Sequence, residues 1–572
     1  MHIKRRPLQT DSHLPDTLHP VLKQIYASRG ITTANQLERS AKSLLHYRQL
    51  SGIEQAVTII AHSLANNKRI IIVGDFDADG ATSTALCMLA LGMMGSNNHS
   101  YLVPNRFNFG YGLSPEIVEV AKDQGAEVIL TVDSGIACLA GVDKAKALDI
   151  TVVITDHHLA GATLPNADAI VNPNQPDCDF MSKNLAGVGV AFYLMLALRA
   201  HLRENRWFEQ QNLAVPNLAD LLDIVALGTV ADVVQLDENN RILVHQGLLR
   251  IRSDKCRPGI QALIDVAGRD RRKMVASDLG FVLGPRLNAA GRLDDMSMGI
   301  ECLLASSDAK ARQIAVELDS LNTERREIES SMQQEAIKAL ESVQLTEDNL
   351  PHGLVLYQRD FHQGVIGILA GRIKEKYFRP TVAFAHHDEH TLKGSARSIP
   401  GLHIRDLLEE LSSRYPGVIT KFGGHAMAAG LTLPADKLAE FRQHFDQLAK
   451  AYLDGKPLAG EWVSDGELAA SELSITFAQR LKDGGPWGQG FVEPMFDGEF
   501  TLLEQRIVGH KHLKMMVKHP SGLLIDAIAF NVDTTIWPNP ACNLVSLAYK
   551  LDINEFRNRT SLQLLVEGLF PL

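Results

Sequence analysis

The 572-residue chain is poor in cysteine: six, at positions 87, 138, 178, 256, 302 and 542, with no CxxC pair among them. That argues against a zinc site and a disulfide scaffold and for reduced thiols in a cytoplasmic protein. No apolar run is long enough to span a bilayer. The basic start MHIKRRPLQTD lacks the apolar stretch of a secretory signal. There is no internal repeat and no low-complexity tract. An excess of positive charge is missing too, the formal net charge being −10. This balance does not advertise nucleic-acid binding, nor does it exclude it, because acidic metal ligands enter the sum and local patches matter more than the total. Arg250, Arg252, Lys255 and Arg257 form one basic patch, and Arg269, Arg271, Arg272 and Lys273 another. Each reads equally as solvated surface or as a contact for an anion.

Apolar residues make up 45% and charged residues 22% of the chain, values of a globular protein with ample core. The length predicts three or four domains. Residues 1–50 read as a polar, helical lead-in. Residues 51–305 read as one domain: to about 235 apolar strands alternate with helical stretches, the pattern of an α/β domain with a parallel sheet, and residues 236–305 look mainly helical. Its strand candidates are Ile70–Val73, Val128–Val132, Thr151–Ile154 and Ala169–Val171. Residues 306–345, rich in Ala, Glu, Arg and Gln without Gly or Pro, predict a long connecting helix. A second α/β lobe is expected over 346–452, and residues 453–572 alternate short apolar strands with turns like a small β-barrel.

The densest chemistry lies in RIIIVGDFDADGATSTA, where Asp75, Asp77 and Asp79 stand at alternate positions behind a buried strand. Carboxylates this close repel one another unless a positive charge sits among them. The string also matches the opening of a calcium EF-hand loop. That loop needs a Glu at its twelfth position, here Leu86, and a helix in front, where this chain has a strand. VILTVDSG sets Asp133 after a second strand, TVVITDHH sets Asp156, His157 and His158 after a third, and IVALGTVAD sets Asp232 after a further apolar run, read as another strand end. In an open parallel sheet such ends converge on one crevice. A carboxylate set with one or two imidazoles suits two Mn²⁺ or Mg²⁺ ions. Two such ions about 4 Å apart can deprotonate a water and hold the attacking and leaving oxygens of a phosphoryl centre.

DFDADG, VDSG, DHH and GTVAD, in this order, resemble the motifs of the DHH phosphoesterase superfamily. GPRLNAAGRLDD (284–295), FHQGVIGILAGRI (361–373), LKGSARS (392–398) and FGGHAMAAG (422–430) narrow the resemblance to the RecJ family of single-strand-specific 5′→3′ DNA exonucleases. It runs nearly end to end and implies a DHH domain, a DHHA1 domain and a C-terminal OB-fold. It also implies roles residue by residue. Asp77, Asp79, Asp133, His157 and Asp232 match metal ligands. Asp75 and His158 match positions that support the metals or contact the scissile phosphate, and Asp156 would orient an imidazole. Arg286, Asn288, Arg292, Ser395, Arg397, Gly424 and His425 match substrate-binding positions. Arg106 is a candidate clamp on a 5′-phosphate and Tyr111 a base-stacking neighbour. Lys511 and Lys514, in the basic stretch Gly509–Val517, are candidate DNA contacts, while Trp487, Phe491 and Phe496 read either as stacking aromatics or as barrel core. Ser134 and Phe361 depart from the family, which usually has Asn and Trp there.

The resemblance thus implies a metal-dependent hydrolase of single-stranded DNA, releasing 5′-mononucleotides in recombination and repair. It implies a monomer, with a helicase and a single-strand-binding protein as partners. The competing readings are a phosphodiesterase on oligoribonucleotides or cyclic dinucleotides, against which the long C-terminal β-region argues, and a non-catalytic DNA-binding scaffold, against which the intact acidic set argues.

Overall fold

A computed structural model describes residues 2–7, 9, 13–104, 112–341, 350–455, 460–556 and 559–572. Arg106 and Tyr111 fall outside the described residues. Two compact units emerge, one made of Ile3–Asp319 with Trp462–Leu572, the other of Met1–His2 with Ser320–Glu461. Among the described residues no helix is long and apolar enough to cross a membrane.

The larger unit is built on five parallel strands, Ile70–Val73 (β1), His99–Leu102 (β2), Val128–Thr131 (β3), Thr151–Thr155 (β4) and Ala169–Val171 (β5), in the order β2-β1-β3-β4-β5. Every residue of β1 and β3 is buried, because helices cover both faces of the sheet; that is why the sequence shows runs rather than alternation. The crossovers are Ala78–Met93 (α1), Pro115–Asp123 (α2) and Leu139–Ala147 (α3). The chain leaves β1 for β2 on one side and returns to β3 on the other, which opens a crevice at the carboxyl ends of β1 and β3. Helices Gly187–Glu204 (α4) and Leu222–Ala231 (α5) pack on α1. The latter corrects the sequence reading: the run before Asp232 is a helix, buried throughout Leu222–Thr229. A helix wrapped on all sides is apolar all round, so its sequence has no helical stripe to betray it. A helical run follows over 276–293, ending in Gly284–Leu293 (α6).

Among the described residues, the first 50 hold one α-helix, Pro20–Ala27, a strand, His2–Arg5, and three short 3-10 turns, so the expected helical lead-in is there mostly turn. Side chains of Ser40 and His46 accept backbone N–H groups at the start of two of those turns and cap them there. The segment is fastened to the C-terminal region by a buried Arg29–Asp465 ion pair at 2.8 Å and by Arg5–Asp497 at 2.6 Å.

The C-terminal strands Phe496–Val508, His512–Lys518, Leu524–Ala529, Leu544–Phe556 and Arg559–Pro571 form a closed five-stranded barrel. All its pairings are antiparallel except that of the third with the fifth strand. This is OB-fold architecture. Phe496 is buried in the barrel with Tyr549. Trp487 and Phe491 are neither barrel core nor a free stacking platform. They lie before the barrel, stacked on each other at 4.8 Å and on Tyr26 at 5.9 and 6.2 Å, with the Arg241 guanidinium 4.4 Å over Phe491.

The 34-residue helix Asp308–Glu341 (α7) leads into the second unit. There, strands Leu354–Tyr357 (β6), Thr381–His386 (β7), Thr391–Arg397 (β8), Lys421–Gly424 (β9) and Ala428–Pro434 (β10) form a mixed sheet, ordered β9-β10-β8-β7-β6, with only β6 and β7 parallel. Phe384, Phe441 and Phe445 anchor its core. Phe361 is buried on the other side with Val365 and Leu369, so this departure from the family pattern is absorbed by packing.

Candidate metal centre

The loop after β1 turns directly into α1. Asp77 is the N-cap of that helix, its Oδ1 accepting the N–H groups of Asp79 and Gly80 at 2.9 and 3.0 Å. One residue on, the Ala78 N–H donates to Asn288 Oδ1 at 2.8 Å, so the NAAGR helix α6 closes the same helix start. The two segments touch: a Cβ at Gly291 would lie 1.9 Å from the Phe76 carbonyl oxygen, a contact only glycine permits. Asp79 is buried and reaches α4, accepting Gly187 N–H at 2.6 Å and Val188 N–H at 2.9 Å. The amino end of α4 thereby stabilises a buried carboxylate.

Asp133 follows β3 in a left-handed conformation, φ 58°. Asp156 follows β4 and is saturated: Oδ2 accepts Ile136 N–H at 2.9 Å, and Oδ1 accepts His157 N–H, His158 N–H and His158 Nδ1 at 2.7, 3.1 and 2.7 Å. Asn172 and Asn174 pin the same turn by donating to the carbonyls of His158 and His157 at 2.9 and 2.6 Å. His157 Nε2 then points among carboxylates, 3.1 Å from Asp133, 3.5 Å from Asp232 and 3.9 Å from Asp79. Asp232 caps the carboxyl end of α5.

The electrostatics are those of a site short of positive charge. Burial, followed by the Asp77 charge, pushes Asp79 up to about 7 despite its two backbone donors. Burial and then the charges of Asp79 and Asp77 raise Asp133 and Asp232 well above the usual carboxylate range. His157 is lowered to about 4 by burial and by His158, so it is neutral at pH 7 with a nitrogen lone pair to offer. Burial opposes the charged forms of Asp156 and His158, but their mutual hydrogen bond prevails, lowering the acid and raising the imidazole.

Donor atoms of Asp79, His157 and Asp232 lie within 4.8 Å of one another, as do those of Asp75, Asp77 and Asp133 and those of Asp133, His157 and His158. Hard oxygen donors with neutral imidazole nitrogen fit Mn²⁺ or Mg²⁺. The structure therefore brings together all eight acidic and imidazole residues singled out in the sequence.

The remaining candidates are spread out. Arg286 is buried, paired with Asp319 at 2.8 Å and donating to the Val282 carbonyl at 2.6 Å, so it holds α6 in place. Arg292 is half-buried at the end of α6. In the second unit Ser395 and Arg397 share one strand end; Arg397 Nη1 donates to Ser395 Oγ at 3.1 Å. Among the described residues no carboxylate pairs with Arg397, and burial alone lowers its pKa. Gly424, at φ 146°, and His425 form the hairpin whose returning strand places Ala428 opposite Arg397. Lys511 is exposed on the first barrel turn, whereas Lys514 is paired with Asp526 at 3.2 Å. The two basic patches are largely spent on carboxylates of the chain itself: Arg250 on Asp220, Arg271 on Asp254, and Lys273 on Glu555 of the barrel. Ser134 is buried, its carbonyl accepting from Thr131 Oγ1 at 2.7 Å. Sequence reasoning missed Gly187, Asn172 and Asn174. The glycines of AGVGVAF at a helix start were the available sign of a close approach.

The chain matches the DHH family N-terminal domain over residues 69–229, the DHHA1 domain over 351–451 and the RecJ OB domain over 464–568. It is 57% identical over 573 residues to the single-stranded-DNA-specific exonuclease RecJ of Escherichia coli, covering 100% of this chain and 99% of that protein. Identity to the protein of the same name from Dickeya dadantii is 59% over 571 residues, with the same coverage. Its fold superposes on the crystal structure of RecJ from Thermus thermophilus in complex with Mn²⁺ with a TM-score of 0.77 at 27% identity, covering 97% of this chain and 76% of that one. The Mg²⁺ complex of the same protein gives a TM-score of 0.72 at 26% identity, covering 97% and 75%. With the acidic cluster at the sheet edge, the barrel and these likenesses in agreement over the whole length, the chain belongs to the RecJ family of single-stranded-DNA-specific exonucleases.

Proposed function

We propose that this chain is a metal-dependent exonuclease that hydrolyses single-stranded DNA from its 5′ end to 5′-mononucleotides, using two divalent cations, Mn²⁺ or Mg²⁺. The observation that carries the reading is the convergence of Asp79, Asp133 and Asp232 on the neutral imidazole of His157, with Asp75 and Asp77 joined to the same cluster through Asp133. Asp77, Asp79, Asp133, His157 and Asp232 would hold the cations. When bound, such cations neutralise a phosphodiester and lower the pKa of water toward neutrality.

The protein's own groups do the positioning. The N–H groups of Gly187 and Val188 aim Asp79 inward. Asp156 fixes the His158 ring, which is charged more readily than an ordinary histidine and can donate toward a phosphate oxygen. Arg397, Ser395 and the Gly424–His425 turn supply anion contacts in the second unit, and Arg292 and Lys511 supply others in the first. Family membership supports the further reading of a role in recombination and repair in the cytoplasm, as a monomer with a helicase and a single-strand-binding protein as partners.

The test uses single-stranded DNA labelled separately at each end, with Mn²⁺, Mg²⁺ or EDTA, beside a blunt duplex. Immediate release of mononucleotide from the 5′ label, from single strands only and only with metal, is expected. Release from the 3′ label first, or cleavage confined to very short oligonucleotides, overturns the reading.

A further inference from the structure

The helical run 276–293 is interrupted at its centre by a π-helical turn, Leu279–Leu283. Its cause is legible. Pro285 has no N–H, so the carbonyl of Phe281, four residues earlier, loses its α-helical donor and the turn widens. The widened turn sits on the end of α5 that carries Asp232. A Cβ at Gly280 would lie 3.1 Å from Val230 Cγ1 and 3.4 Å from the Val230 carbonyl oxygen, and one at Gly284 would lie 3.1 Å from Ala231 Cβ. Two glycines thus bring the π turn against the two residues before this acid.

Two apolar side chains are left in solvent there. Phe281 is 79% exposed and Val233, the residue after Asp232, 63% exposed. Val233 is also held at φ 63°, a left-handed conformation that is a genuine outlier for a β-branched residue. An isolated exposed apolar side chain is ordinary. An exposed phenyl on a π turn packed against the helix end that carries Asp232, and a strained exposed valine next to that acid in the chain, are not.

We propose that Phe281 is a binding residue that stacks on a base of the single strand next to the nucleotide being cleaved. This rests on the exonuclease reading above. The occupant follows from continuity with that centre: a strand whose phosphate lies at Asp232 must carry its neighbouring bases past this turn, and every base has an apolar face that an aromatic ring can cover. Such a contact is independent of sequence and holds the strand without touching the reacting atoms.

The experiment combines steady-state kinetics with a stacking reporter on the full-length chain. Oligonucleotides carry 2-aminopurine at the second, third or fourth position from the 5′ end, and binding is read in EDTA, where hydrolysis is stopped. Wild type should quench one of these positions. Phe281→Ala should lose that quenching and raise KM for a long single strand roughly tenfold, with kcat little changed. Phe281→Trp should restore both, and Phe281→Leu, apolar but not aromatic, should restore neither in full. An alanine variant with wild-type KM and wild-type quenching overturns the stacking assignment and leaves the exonuclease reading standing. A wild-type chain that neither binds nor cleaves single strands removes both. A drop in kcat at unchanged KM and quenching also overturns the proposal, since it marks Phe281 as support for Asp232.

Discussion

Gly187 offers a sharp test of the metal centre. Its N–H donates to Asp79 at 2.6 Å, while a Cβ placed on it would lie 2.6, 2.7 and 2.8 Å from Cβ, Oδ1 and Cγ of Asp133. One methyl group therefore intrudes between two carboxylates. Ordinary contact begins near 3.4 Å, so Gly187→Ala demands a shift of about 0.8 Å from the ligands or from α4. Asp133 has little freedom to yield. It sits at φ 58°, and its flanks are fixed by Gly135 at φ 121° and by the Thr131–Ser134 hydrogen bond. Overpacking of this size costs about 1–3 kcal/mol of stability, while a displacement of about 1 Å at a catalytic centre costs roughly 100-fold in rate. The expected outcome is a folded protein by circular dichroism at 25 °C with kcat/KM down about 100-fold on 5′-labelled single strands and weaker Mn²⁺ binding by electron paramagnetic resonance. A folded variant within twofold of wild type in both would refute the claim that Asp79 and Asp133 are positioned through this glycine.

Asp77→Ala and His157→Ala should each abolish hydrolysis; residual activity above about 1% of wild type in either would undo the ligand assignment. Asp77→Asn should be equally inactive yet more stable than the alanine variant by about 1 kcal/mol, because asparagine still caps α1; equal melting curves would contradict the capping role. In the metal-free protein Asp79 binds its proton up to about pH 7 in the folded state and only near pH 4 when unfolded, and Asp133 and Asp232 shift the same way. His157, lowered to about 4, opposes this only below pH 6.5. Stability should therefore fall as pH rises from 6.5 through about 7, where Asp79 gives up its proton, by at most about 1.4 kcal/mol per unit for that group, and added Mn²⁺ should raise the melting midpoint more at pH 8 than at pH 6. A midpoint that climbs with pH in EDTA would contradict the raised carboxylates. Lys511→Glu should lower the salt dependence of single-strand binding by about one ion, and Lys514→Glu by less, because Asp526 already neutralises Lys514; slopes unchanged from wild type in both would return the hairpin to ordinary surface.

Four strands of the parallel sheet were legible because burial on both faces leaves unbroken apolar runs such as IIIV, and the acids behind them followed from where such runs end; the edge strand His99–Leu102 was not, because it is half-buried throughout and HSYL carries no apolar run. The helix carrying Asp232 was not legible as a helix, since a buried helix and a buried strand look alike over eight or ten residues. Asp232 still reached the right place, because either element delivers its next residue to the same crevice. The aromatics before the barrel misled for a related reason. Composition says that Trp487 and Phe491 want a partner, but only the fold says that the partner is Tyr26, more than 400 residues earlier. Contacts made by backbone N–H groups, as at Gly187 and Val188, leave almost no trace in residue type, and the π turn became visible only when Pro285 could be set against the carbonyl it leaves unserved.

The Arg29–Asp465 pair joins residues 436 positions apart, both nearly inaccessible to water. On a ribosome adding about 5–20 residues per second, Arg29 waits roughly 20–90 seconds for its counter-ion to be synthesised. Throughout that interval the entire second unit emerges and can fold, while the first must remain open along the seam that the last hundred residues close. Synthesis order thus delays completion of the unit that carries the acidic cluster until nearly the whole polypeptide exists, and a message cut short before Asp465 would leave Arg29 without its acid.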